Sequence, residues 1–172
     1  YVGRVSKEKN LHILQQAYRE VLRHTPSARL VVVGDGPYRA TMERDLADTP
    51  AVFTGYLKGD DLPALYGACD LFVFPSTTDT FGNVVLEAQA CGTPVVVTDQ
   101  GGPAENVLPG ETGHIVPGED AAALAGAVSG LLCDPARLEA MGHAARAYME
   151  SRGFQQAFGT LYTTYCRGPA DP

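Results

Sequence analysis

The stretch Phe74 to Gly92, FPSTTDTFGNVVLEAQACG, runs from the end of a strand through a polar loop into a helix, and it sets the fold of the chain around it. Upstream, Cys69-Asp70-Leu71-Phe72-Val73-Phe74 is an apolar run of strand length, ended by Pro75, which has no N–H to give to a sheet ladder. Downstream, Asn83 to Ala90 carries apolar residues at helical spacing, with Gly92 and Pro94 as stop signals. Between them lie Ser76, Thr77, Thr78, Asp79 and Thr80, then Phe81-Gly82-Asn83, where a residue without a side chain lets a ligand approach the backbone. Asn83 and Glu87 are four apart and share one helix face, while Asp79 sits in the loop. Two carboxylates thus flank a helix N-terminus, whose unpaired N–H groups and positive dipole end suit an anion such as a diphosphate. The other reading is that the carboxylates only complement the dipole, an effect of about 0.3–1 kcal/mol.

The chain has 172 residues, the size of one domain with a single core that needs no disulfide or metal staple. It opens at Tyr1-Val2-Gly3, inside a strand and without an initiator Met, which predicts a fragment of a longer protein. No signal peptide or spanning segment is visible within it; one upstream stays open. A net charge of −7 argues against a nucleic-acid binder with a broad basic face, and against adhesion of this domain alone to anionic lipid. Cys69, Cys91, Cys133 and Cys166 show no paired spacing and read as reduced thiols, which fits a cytoplasmic location. His12, His24, His114 and His143 show no ligand pattern, so no metal is expected.

Strands and helices alternate, which predicts an α/β fold: a Rossmann-like parallel sheet with helices on both faces. The end of a first strand is expected at Tyr1–Arg4, and further strands at Arg29–Val33, Val52–Leu57, Cys69–Phe74, Thr93–Thr98 and His114–Val116. Helices are expected at Asn10–His24, Tyr38–Leu46, Asp61–Ala68, Asn83–Ala90, Ala121–Leu132, Pro135–Met149 and Phe154–Tyr165, with a brief helical segment reaching Val107. The domain is expected to span 1–166, followed by a tail at 167–172.

Sheets of this kind bind ligands at the carboxyl ends of their strands. Three loops fall there: Gly3–Asn10, Gly34–Pro37 and Ser76–Asn83. The first, GRVSKEKN, brings Arg4, Lys7 and Lys9 into an acidic domain, and guanidinium and ammonium groups grip phosphate oxygens without a metal. Lys7 is read as a solvated surface charge. The second loop, with Gly34 and Gly36 after a strand and before a helix, invites a dinucleotide-binding reading. That reading fails because Arg39 stands where a third glycine is needed. Tight turning and close backbone approach remain.

With these residues in place, Tyr1 to about Tyr165 resembles the C-terminal half of a retaining glycosyltransferase of the two-domain GT-B architecture, in family four. The resemblance rests on Pro75-Ser76, Asp79, Phe81-Gly82, Leu86-Glu87-Ala88 and Gly92-Thr93-Pro94-Val95. Gly3-Arg4, Glu8-Lys9 and Gly34-Asp35-Gly36-Pro37 match two further signatures in order. It implies that Asp79 bonds hydroxyls of the donor hexose and Glu87 the ribose hydroxyls, the two forming the family's pair of acids separated by seven residues. It implies that Arg4 and Lys9 contact the donor diphosphate, that the amides around Phe81, Gly82 and Asn83 approach sugar and phosphates, and that the base lies near Tyr56 and Leu57. The donor is then a UDP- or GDP-sugar, and an N-terminal domain lying outside this chain supplies the acceptor contacts and any membrane contact. Attack on the donor's front face, with the leaving phosphate taking the acceptor proton, is implied in the same way. The first acid is Asp rather than the commoner Glu, one methylene shorter, which leaves the donor sugar open. Two other functions share this cleft: a nucleotide-sugar epimerase of the same architecture, and a non-catalytic nucleotide-sugar-binding module.

Overall fold

A computed structural model of the chain describes residues 1–152. The expected helix Phe154–Tyr165, Cys166, the tail at 167–172 and the end of the 1–166 domain lie outside the described residues. In chain order the elements are α1 (Leu11–His24), β1 (Val31–Val33), α2 (Arg39–Asp45), β2 (Val52–Gly55), α3 (Asp61–Ala68), β3 (Phe72–Phe74), α4 (Asn83–Ala90), β4 (Val95–Thr98), β5 (Gly113–Val116), α5 (Ala121–Leu132) and α6 (Pro135–Ser151). Short 3-10 turns at Lys7–Lys9 and Gly102–Asn106 complete them. The alternation is as expected and every strand pair is parallel.

Two features differ from expectation. The strands pair as two ladders, β1-β2 and β3-β4-β5, rather than as one sheet. The expected strand at Tyr1–Arg4 is a single parallel bridge from Val2 to Val33, because Gly3, at φ 149°, turns the chain out of the ladder to make room for the loop that follows. The two ladders meet through side chains instead: the Tyr1 ring stacks on Phe74, with centroids 5.9 Å apart.

β4 is the centre of its ladder, and Val95, Val96 and Val97 are fully buried. That burial on both faces is why this strand reads as an unbroken apolar run. Phe72, Phe74, Val32, Leu11, Val85 and Leu124 join the same core. α1 packs on α5, and α4 packs on α3 and α6, so helices cover both faces. Gly126 lies in the middle of α5 with open space where a Cβ would stand. A glycine there costs helix stability through its extra unfolded-state freedom, so Gly126→Ala is expected to stabilise the chain by about 0.5–1 kcal/mol, read as a higher urea midpoint with unchanged slope.

Candidate functional site

The carboxyl end of β3 and the Tyr1–Gly3 segment open onto a cleft of about 450 Å³, lined by Arg4, Glu8, Lys9, Asp79, Thr80, Phe81, Gly82 and Asn83 among others. Two loops build it, and each is cast against the protein's own backbone. The cationic loop leaves the sheet at Gly3 and passes directly over the Gly34–Gly36 turn. Val5 N donates to Asp35 O at 3.0 Å and Tyr38 N to Val5 O at 3.0 Å. A Cβ on Gly34 would run into Gly3 O, and one on Gly36 into Val5 O. The close backbone approach expected of these glycines is thus made to the loop that carries Arg4 and Lys9.

The second loop is fastened to the first. Asn10, held at φ 53°, donates from Nδ2 to Thr77 Oγ1 at 3.0 Å, and Thr78 Oγ1 donates to Glu8 O at 3.3 Å. Lys9 Nζ donates to Asp79 Oδ2 at 2.8 Å, with the two side chains only 18% and 25% exposed. Ser76 Oγ donates to the same oxygen. Asp79 is therefore aimed from two sides through its Oδ2, and among the described residues its Oδ1 has no hydrogen-bond partner. Arg4 lies nearer the rim, 66% exposed, 3.7 Å from Glu8. Both cations thus have carboxylate partners, and a diphosphate must compete with these for the cations.

α4 begins at the floor of the cleft. Gly82 caps it at φ 77°, a left-handed conformation that an L side chain takes only with strain, and a Cβ there would stand 2.9 Å from Pro103 Cγ. No acidic residue stands in the first turn of α4 to complement its positive end, and the carboxylate that shares the cleft with it is Asp79, already paired with Lys9. Asn83 lines the cleft; Glu87, one turn on, does not. Its Oε2 accepts from Tyr66 Oη at 3.2 Å, and burial followed by the Glu87 charge pushes the Tyr66 phenol well above its usual range. Tyr56 is 70% exposed just beyond β2, and neither it nor Leu57, Gly34 or Gly36 lines the cleft.

The structure thus brings Arg4, Lys9, Asp79, Phe81, Gly82 and Asn83 together and sets Glu87, Tyr56 and Leu57 outside that space. Sequence reasoning gave no role to Ser76, Asn10 or Tyr66, which hold the others in place. Ser76 sits three residues before Asp79, the one local signal that pointed to its contact. A larger groove of about 1040 Å³ lies at the amino ends of the strands, between α1, α5 and α6. Its lining is mainly apolar, with Leu14, Val21, Leu124 and Val128, and the glycine turns and the α4 N-terminus are at the opposite edge. Among the described residues no group of three His, Cys, Asp or Glu side chains could hold a metal ion, and no helix is long and apolar enough to cross a membrane.

Two cations and the N-terminus of α4 thus meet at the strand carboxyl edge of a Rossmann-like domain. Residues 1–134 match the model of the family "Glycosyl transferases group 1". The chain belongs to that family, and its fold is that of the C-terminal domain of a GT-B glycosyltransferase. It is 38% identical over 161 residues to the sulfoquinovosyl transferase SQD2 of Arabidopsis thaliana, covering 91% of this chain and 31% of that protein. It is 39% identical over 156 residues to a GDP-mannose-dependent alpha-(1-6)-phosphatidylinositol monomannoside mannosyltransferase of Mycolicibacterium smegmatis, covering 84% and 41%. The Anabaena protein Alr3699/HepE, solved in complex with UDP, superposes with a TM-score of 0.79 at 27% identity, covering 94% of this chain and 48% of that one. The chain thus spans less than half the length of these two curated relatives.

Proposed function

We propose that this chain is the donor-binding half of a retaining hexosyltransferase that moves a sugar from a UDP- or GDP-sugar to an acceptor hydroxyl held by another domain. The observation that carries this reading is the convergence of Lys9, Arg4 and the α4 N-terminus on one cleft beside Asp79. Departure of a nucleoside diphosphate develops negative charge, and fixed cations with an oriented helix end stabilise it where mobile water must reorganise. In this reading no metal is needed to neutralise the diphosphate, so activity of the longer protein withstands EDTA. Relatives support the donor class: one is named for GDP-mannose dependence and another is solved with UDP. The free thiols at Cys69, Cys91 and Cys133 accord with the cytoplasmic location we propose.

The roles divide between the cleft and the surface beyond its rim. Asp79, within the cleft, reads a hexose hydroxyl through its free oxygen, and Glu87, held by Tyr66 outside that lining, reads the ribose, with the base near Tyr56 and Leu57. A charge-assisted hydrogen bond contributes about 1.5–3 kcal/mol, a factor of roughly ten to a hundred in affinity. Asp79→Ala is expected to weaken nucleotide-sugar binding by that factor. It should leave free UDP or GDP unaffected or bound slightly tighter, because Lys9 loses its competing carboxylate. Glu87→Ala should weaken both ligands. Calorimetric titration checks this, and equal losses of nucleotide and nucleotide sugar in Asp79→Ala would contradict the assignment. The chain alone is expected to bind donor without transferring sugar, since positioning of an acceptor supplies about 7–11 kcal/mol of barrier reduction that half a cleft lacks. Multiple turnovers by the chain alone, measured with a labelled donor and candidate acceptors, would place catalysis within these residues instead.

A further inference from the structure

We propose that Asn106 is a positioning residue that aims the backbone amides of the Phe81–Gly82 turn into the cleft; the ligand side of this proposal rests on the nucleotide-diphosphate reading. Asn106 lies at the end of the Gly102–Asn106 turn and is 2% exposed. Three contacts fix it. Its Nδ2 donates to Phe81 O at 2.6 Å, its Oδ1 accepts from Arg152 Nη1 at 3.2 Å, and its backbone carbonyl accepts from the buried Gln89 Nε2 at 2.9 Å. Arg152 determines the amide's orientation, because a guanidinium can only donate and so draws Oδ1, leaving Nδ2 for Phe81.

The consequence follows from peptide geometry. Every peptide bond described is trans, so the N–H of Gly82 points opposite to the Phe81 carbonyl that shares its plane. With Phe81 O drawn back toward Asn106, Gly82 N–H faces the cleft that Phe81, Gly82 and Asn83 line. The same turn acts twice. Gly102 N donates to Asp79 O at 2.9 Å, which sends Thr80 N–H the opposite way, and Thr80 also lines the cleft. Two carbonyls are pulled to one side and two amides are presented on the other, next to the α4 N-terminus and Lys9. Oriented amides of this kind form anion-binding concavities.

Asn106→Asp separates this role from simple packing. The side chain keeps its shape and still accepts from Arg152, but it has no hydrogen to give Phe81 O and sets an anion against that carbonyl. Two measurements are made on the whole chain: hydrogen exchange at the bonded amides of Val85 and Gly102, which donate to Gly82 O and Asp79 O, and titration with UDP, GDP, uridine and guanosine. The expected result is exchange at these two amides about tenfold faster and nucleoside diphosphate affinity about tenfold lower, with nucleoside affinity unchanged. Arg152→Met, at the exposed end of α6, keeps the fold if Asn106→Asp does not, and is expected to speed exchange at the same amides two- to threefold, roughly the effect of a partly lost bond. Unchanged exchange at Val85 and Gly102 in both variants overturns the proposal. So does a parallel fall in diphosphate and nucleoside affinity, which is the mark of general destabilisation. If the unaltered chain binds neither UDP nor GDP, the nucleotide reading fails, and the exchange measurement alone decides whether Asn106 holds the turn.

Discussion

Replacing Arg4 and Lys9 together by Ala is expected to lower the affinity for a nucleoside diphosphate about a hundredfold while leaving the nucleoside within about twofold. Lys9 carries most of this. It is the less exposed member of the pair, 18% against 66%, and a charge-assisted bond from a partly desolvated ammonium is worth about 1.5–3 kcal/mol. Arg4, mostly exposed, adds about 0.2–1 kcal/mol, the usual worth of a solvated ion pair. Loss of Lys9 also leaves Asp79 without its cation, so its carboxylate faces the diphosphate unneutralised. The nucleoside carries no charge to feel either change. Calorimetry with both ligands separates these outcomes, and equal losses for diphosphate and nucleoside would show that the cations hold the fold rather than the phosphates.

Gly34→Val is expected to destabilise the chain by about 3 kcal/mol or more and to remove diphosphate binding with it. Two costs add. The backbone at φ 118° is one that a β-branched residue avoids, and any Cβ meets the Gly3 carbonyl, which has no room to retreat because Gly3 N is bonded to Val33 O at 3.0 Å. The loop carrying Arg4 and Lys9 must therefore lift from the turn. Gly59→Ala is the control. Gly59 also has positive φ, 58°, but nothing stands within 4 Å of its Cβ position, so only the backbone strain of about 1 kcal/mol is expected. Thermal unfolding of both variants checks the difference. A Gly34→Val variant as stable as Gly59→Ala would mean that the first loop does not rest on this glycine.

Much of this architecture is legible in the residues. β4 announces itself because a strand buried on both faces must be continuously apolar, and α1 because Leu11, Leu14, Tyr18 and Val21 recur at helical spacing. That Asp79, Gly82 and Asn83 lie side by side was legible for a related reason: a strand end, a glycine and a helix start within one short stretch leave little freedom in where they point. The sites' supports were not. Asn10 reaches Thr77 across 67 positions, and Tyr66 reaches Glu87 from another helix, contacts that no local pattern encodes. The shortening of the first strand was hidden too, since Tyr1-Val2-Gly3-Arg4 has strand-like composition and only the packing of Gly3 against Gly34 shows where the ladder stops. Gly34 and Gly36 were read correctly as sites of close backbone approach, but the partner is the protein's own loop, which a sequence pattern cannot distinguish from a ligand.

Donor binding by this half of the enzyme is tested by calorimetric titration of the 172-residue chain with UDP-glucose and with GDP-mannose, followed by displacement with the matching nucleoside diphosphate. Saturable binding of one donor class at a single site is expected, displaced in full by its nucleoside diphosphate and only weakly by the nucleoside. Binding of neither donor, or binding that the nucleoside diphosphate cannot displace, would contradict this expectation.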